Sequence, residues 1–226
     1  MRSSLWLLLS VAALSHAAPP ARVEIEYELK RNGRRIAEVV DRLEHANGSY
    51  RLTETWKGRG LFALLGRAKR TSHGTVAADG LRPLEFADER SGRDTARAWF
   101  DWQAKTFTMR YKGNSSTHAL PANPQDGLTF LLTFSFSPPN PEPVRMHVIN
   151  GRGVSEYIYE PAGRERLSVP AGEFDTLKLL RKKPGRSELR GEIWLAASHS
   201  YLPVRILIVE NDGTRYEQLA TRISTP

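Results

Sequence analysis

The chain contains no cysteine. That absence excludes a disulfide framework, and it excludes lipid attachment at a cysteine following an export signal. Histidine is scarce: beyond His16 there are only His45, His73, His118, His147 and His199. They are scattered singly, none with a second His or a carboxylate at metal-ligand spacing, so no metal site and no cofactor is read from them. The nucleophile elbow G-x-S-x-G and the zinc helix H-E-x-x-H are missing as well. Lone acids such as Glu85, Glu89 and Glu173 have no assignable partner, which leaves a two-carboxylate glycosidase without support. Long hydrophobic runs are also lacking. The apolar stretch Leu5–Leu14 falls well short of the roughly 20 residues a membrane-spanning helix needs. These absences point away from an enzyme and towards a binding or structural protein.

What is present begins with "MRSSLWLLLSVAALSHAAPP": a basic start, an apolar stretch, and small residues Ser15 and Ala17 where a signal peptidase cuts. The expectation is a secretory signal over 1–17, cleaved near Ala17, with the mature protein in the periplasm and no membrane span. Residues 22–224 are read as one β-rich domain, held together by burial alone. Of the 33 basic residues only Arg2 lies in the leader, leaving 32 against 25 acidic ones. Such an excess suits an anionic partner, lipid headgroups or a polyanionic polysaccharide. The arginines are nevertheless dispersed, as on the solvated faces of strands. A nucleic-acid partner is not expected, since no recognition motif is present.

The dominant pattern is alternation. "RVEIEYELK" places Val23, Ile25, Tyr27 and Leu29 on one face and three glutamates on the other, a half-buried strand. "RNGR" and "ANGS" then supply hairpin turns, giving a meander without crossover helices. Similar strands follow around Asp79–Gly80, Asp101–Lys105 and, after Val144, to the end of the chain, about a dozen in all. Two segments interrupt the pattern. In "KGRGLFALLGRAKR" the residues Leu61, Phe62, Leu64 and Leu65 form an apolar knot between Gly58, Gly60 and Gly66. This knot reads as a loop plugging one end of a barrel, with a mobile lid or a membrane-touching loop as alternatives. The other is "PANPQDGLTFLLTFSF", whose Leu128, Phe130, Leu132, Phe134 and Phe136 alternate as a strand would. Asn123 as N-cap, Pro124 in the first turn and Asp126 near the dipole favour a helix instead, apolar nearly all round and packed into the concave side of a sheet. The fold expected is mainly β: a single curved antiparallel sheet, or a half-open or closed barrel, with that one short helix inside. The tryptophans Trp56, Trp99, Trp102 and Trp194 read more simply as core than as a sugar-stacking platform.

The sequence as a whole resembles a known family. The segments that carry the likeness are "TSHGTVAADGLRPLEF", "AWFDWQAKTFTM", "LPANPQDGLTFLLTF", "YEPAGRERLSVPAGEFDTLKLLR" and "EIWLAASHSYLPVRILIVENDGTRYEQL". Together they resemble the exported bacterial family called domain of unknown function 3108, over about Arg22 to Leu219. The resemblance implies a secreted or periplasmic β-rich protein and no particular activity. At a looser level the architecture is similar to the half-barrel of the periplasmic lipoprotein carriers LolA and LolB, which hold acyl chains. Three functions follow. The first is binding of an apolar ligand, lipid or lipoprotein acyl chain in a cavity lined by Leu61, Phe62, Leu65, Phe130, Leu131 and Phe134. The second is a structural or protein-interaction role in the cell envelope with a filled core. The third is a hydrolase whose site the sequence does not reveal.

Overall fold

The computed structural model describes residues 19–182 and 190–225; the leader expected over 1–17 lies outside them. The chain opens as a meander: β1 (Arg22–Arg31), β2 (Arg34–Ala46) and β3 (Ser49–Gly58). Both of its turns are Asn-Gly, with φ of 48° and 79° at Asn32 and Gly33 and 50° and 73° at Asn47 and Gly48. Two successive positive φ angles match the right-handed twist of the strands, so register is set locally. Val23, Ile25, Tyr27 and Leu29 are all buried, as their alternation predicts.

A 3-10 segment, Gly60–Leu65, separates this meander from β4 (Arg67–Ala77), β5 (Gly80–Arg90), β6 (Ala96–Asp101), β7 (Thr106–Tyr111) and β8 (Asn114–Ala119). The chain then crosses to the far edge of the sheet with β9 (Pro124–Asp126) and enters a short helix, α1 (Thr129–Leu132), which tightens into a 3-10 turn over Thr133–Ser135. It returns as β10 (Val144–Ile149), β11 (Val154–Val169), β12 (Gly172–Lys182), β13 (Arg190–Ala196), β14 (Leu202–Val209) and β15 (Arg215–Ser224). The described strands form one sheet of 15, ordered β8-β7-β6-β5-β4-β3-β2-β1-β15-β14-β13-β12-β11-β10-β9. The first and last strands pair in its middle, with Glu24 opposite Ser224 and Arg31 opposite Tyr216.

The sheet does not close by backbone pairing. Its two edges, β8 and β9, are joined by residues 120–123 only, and β9 reaches β4 and β5 through side chains. Gln125 Nε2 donates to the Leu81 carbonyl at 3.1 Å, and Ser72 Oγ donates to Asp126 Oδ2 at 2.5 Å. The turn between β10 and β11 seals the same seam. A Cβ on Gly151 would lie 2.7 Å from the Arg97 nitrogen, so only glycine allows this approach. The result is a half-open barrel with α1 inside. Leu128 and Leu132 pack in one apolar cluster with Leu43, Leu52, Leu81 and Phe86. Phe134 packs in the other, with Met146, Tyr159, Leu179 and Ile206.

Three details differ from the sequence reading. The helix does not start at Asn123, which sits at φ 45° and donates from Nδ2 to the Arg145 carbonyl at 2.8 Å. Pro124–Asp126 are instead strand, paired in parallel with β10, so the sheet is not wholly antiparallel. The capping carboxylate is Asp126: its Oδ1 accepts the amides of Leu128 and Thr129 at 2.8 and 2.9 Å, while Thr129 Oγ1 accepts the Asp126 amide at 2.8 Å. That reciprocal pair satisfies orphan donors of the first turn as a capping box does. Strand β8 also escaped the sequence reading, because "NSSTHA" is polar up to Ala119, in keeping with its exposure along its whole length. Finally, Pro161 and Gly163, turn-formers by residue type, do not end a strand: β11 runs through them with a bulge between Pro161 and Arg164.

Candidate functional site

The bracketing glycines of the Gly60–Leu65 segment have a steric cause. A Cβ on Gly58 would fall 2.2 Å from the Phe62 carbonyl oxygen, and one on Gly66, at φ 80°, would fall 2.5 Å from Ser91 Cβ. The segment is thus pressed against the end of β3 on one side and the β5–β6 turn on the other. Beneath it lies a cavity of about 280 Å³, lined on the apolar side by Leu29, Ile36, Ala37, Trp56, Phe62 and Ala68, with Arg67, Arg90 and Arg93 also in its wall. The cross-strand pairs Ala37–Gly58, Val39–Trp56 and Trp56–Ala68 show why these residues meet: they form neighbouring rows on the inner face of the sheet.

The next inner row is charged. Asp41 of β2 stands opposite Glu54 of β3, Glu54 opposite Arg70 of β4, and Arg70 opposite Asp88 of β5. Arg70 Nη1 is 3.1 Å from Glu54 Oε1, and its Nε is 3.7 Å from Asp88 Oδ2. Arg90 grips Asp88 with two hydrogen bonds of 3.0 and 2.9 Å, and Arg152 adds a third of 2.7 Å from the turn at the seam. Burial alone would raise the Asp88 pKa, but the hydrogen bonds from Arg90 and Arg152 and the Arg70 charge together bring it below the ordinary value. Burial pushes Asp41 far up, the Glu54 charge adds to this, and Arg70 offsets only part. Glu54 is raised by burial too, against the pull of Arg70. Acid at the Asp88 end therefore stays ionised while acid at the Asp41 end favours the protonated form. A second buried set joins Tyr50, whose hydroxyl is 2.9 Å from Ser72 Oγ, through Ser72 to Asp126. Burial lifts the Asp126 pKa to about 6, although four hydrogen bonds, led by the one from Ser72, pull it down.

Of the six residues expected to line one cavity, the four whose side chains are described, Phe62, Phe130, Leu131 and Phe134, do not share one. Phe62 lines the cavity described above, partly exposed, and Leu61 and Leu65 have side chains outside the described residues. Leu131 borders a void of about 10 Å³ between the helix and Asp41, Leu52 and Glu54. Phe134 is 1% exposed and meets Tyr159 edge-on at 5.8 Å; Phe130 meets Tyr157 in the same way at 5.7 Å. The helix fills the barrel rather than lining a space in it. Trp56, Ile36 and Leu29 complete the cavity wall instead, and the charged row was missed altogether. Its signal was present: Asp41 follows Ala37 and Val39 at inward parity, and Glu54 follows Tyr50 and Leu52 likewise.

Other acids are paired locally. Glu85 meets Arg97 at 2.9 Å and Glu173 meets Arg166 at 2.6 Å, while Asp101 accepts the Gln103 and Ala104 amides as a turn-former does. Among the described residues no group of three His, Asp or Glu is placed to hold a metal ion. No described helix is long and apolar enough to cross a membrane.

Comparison with solved structures returns a β-barrel-like protein of domain DUF1849 from Brucella abortus, at 8% identity and a TM-score of 0.59, covering 92% of this chain and 99% of that one. A presumed lipoprotein from Parabacteroides distasonis is also similar, at 8% identity and a TM-score of 0.40 over 92% and 96% of the two chains. So is a presumed exported protein with a YmcC-like fold from Bacteroides fragilis, at 14% identity and a TM-score of 0.37 over 92% and 100%. The first likeness supports the fold; the other two are too distant to add to it. No curated protein matches the chain. The family model designated DUF3108, protein of unknown function, matches residues 25–220, and the chain belongs to that family.

Proposed function

We propose that this protein is an exported binding module of the cell envelope that takes an apolar chain, lipid or acyl, into the cavity beneath the Gly60–Leu65 segment. The observation that carries the reading is the contrast between two spaces. Between α1 and Asp41, Leu52 and Glu54 the space is about 10 Å³, whereas about 280 Å³ stays open between Leu29, Ile36, Trp56 and Phe62. Small-molecule sites are concave and mostly apolar, and this volume lies near the lower end of their range of roughly 300–1,000 Å³. One short chain fits such a space; the two chains of a phospholipid do not. The leader-like first 17 residues support export to the periplasm, and the family resemblance implies an exported β-rich protein.

The test is lipid extraction and native mass spectrometry of protein purified from its native envelope without detergent, followed by titration with a fluorescent fatty acid. Bound acyl species, lost when Ile36→Trp fills the cavity, are the expected result. Protein free of lipid and blind to the fatty acid would sink the reading. A second reading, structural support or protein interaction in the envelope, is favoured by one specific observation, the filled interior around Phe134 and Leu132. It predicts that Ile36→Trp leaves every partner in place.

A further inference from the structure

The cavity has one wall that an apolar chain does not explain. Arg67, Arg90, Ser91 and Arg93 sit at its margin, and Arg67, Arg90 and Ser91 also line an adjoining space of about 300 Å³ whose other walls are Lys69, Glu89 and Thr95. An apolar chamber and a polar one thus share a rim. Two of the rim groups are committed elsewhere. Arg90 holds Asp88 through Nε and Nη2, and the Ser91 hydroxyl accepts the Arg67 amide at 3.0 Å and donates to the Arg67 carbonyl at 3.1 Å. The carboxylate of the polar chamber, Glu89, stands opposite Lys69 across the β4–β5 pair. That leaves the guanidinium groups of Arg67 and Arg93, both exposed, with no carboxylate of a described residue at ion-pair distance. Arginine presents a planar fork of donors matched to carboxylate or phosphate oxygens.

Resting on the reading of the cavity as a ligand site, we infer that the ligand is a single-chain anionic amphiphile. Its chain lies between Leu29, Ile36, Trp56 and Phe62, and its carboxylate or phosphate head is held by Arg67 and Arg93. The head stays at the rim, where it keeps part of its hydration, and the chain alone is desolvated.

Calorimetric titration of the leader-free protein with decanoate, decyl phosphate and 1-decanol tests this. Both anions should bind about tenfold more tightly than the alcohol, the effect expected of a charge-assisted contact at a half-exposed site. The preference should fall with added salt. The double variant Arg67→Ala/Arg93→Ala should lose it while binding 1-decanol as the parent does. Circular dichroism on the variant checks that the fold is kept. Equal affinity of the parent for 1-decanol and for both anions, or an anion preference that survives in the double variant, overturns the inference and leaves the cavity reading standing. Failure of all three probes to bind overturns both. A preference for decyl phosphate alone assigns the head as phosphate, and one shared by decanoate assigns it as any small oxyanion; either result supports the clamp.

Discussion

At the scale of single residues, the buried carboxylates matter most. Asp126 has an ordinary value of 3.8 and is lifted to about 6 in the folded protein, so the folded state holds its proton more tightly than the unfolded one. The stability it contributes is therefore complete below pH 3.8 and is lost as pH rises through about 6. Asn in its place keeps an oxygen for the Leu128 and Thr129 amides and an amide group towards Ser72. Urea denaturation of the Asp126→Asn variant across this window should show the parent falling relative to the variant by at most about 3 kcal/mol, given a shift of about two units. Parallel curves for the two proteins would remove Asp126 as the titrating group. Asp41 works in the same direction, since burial and Glu54 raise it, and it will add to the parent's own slope without entering the difference.

At the scale of elements, α1 and the Gly60–Leu65 segment have opposite tasks. Phe134 is fully enclosed between β10–β14 and the helix, so Phe134→Ala should cost about 3–5 kcal/mol in chemical denaturation. Ligand affinity in the variant that remains folded should be unchanged, because no part of the cavity wall is altered. Gly58→Ala should do the reverse. Its Cβ meets backbone at 2.2 Å, which displaces the Phe62 side of the cavity, so fatty-acid binding should drop and the fluorescence of the adjacent Trp56 should shift. Gly153→Ala, where a Cβ meets nothing within 4 Å, serves as the neutral control.

These two elements also show how far the sequence could be read. Local rules carried the Asn-Gly hairpins, the alternation of β1 and the turn at Asp101, because each depends on neighbours in the chain. They misplaced the start of α1, since the pull of β10 on Pro124–Asp126 is a tertiary contact between strands distant in sequence. They grouped Phe62 with Phe134 on hydrophobicity alone, and hydrophobicity does not tell which side chain finds a tight neighbour and which faces a space. The knot between Gly58 and Gly66 was legible as a device at one end of the barrel, but its partners Leu29 and Ile36 looked like ordinary strand residues. The acids at inward parity were legible in principle and were passed over because the alternation around them reads as apolar.

At the scale of the whole molecule, the two ends of the described chain lie side by side. Glu24 is opposite Ser224, so a short Asn-Gly turn joining β15 to β1 would continue the meander already present elsewhere. A circular permutant with that link, opened at Lys112–Gly113 in the turn before edge strand β8, should fold cooperatively and keep the cavity. Far-ultraviolet circular dichroism and a single thermal transition would check this; a molten product would mean that the original order of synthesis matters. The new ends fall beside β8, which is exposed along its full length.

The junction of β1 with β15 has a kinetic consequence. β1 hydrogen-bonds to β2 on one side and to β15 on the other, and the latter is the last of the described strands in chain order. As the chain emerges from a ribosome or a translocation pore, N-terminus first, one edge of β1 stays bare until residue 215 and beyond have followed. Pairings between such distant parts of a sequence are slow to form. The centre of the sheet thus stays open until β15 arrives, and a thread not yet committed is one that can still be drawn across a membrane.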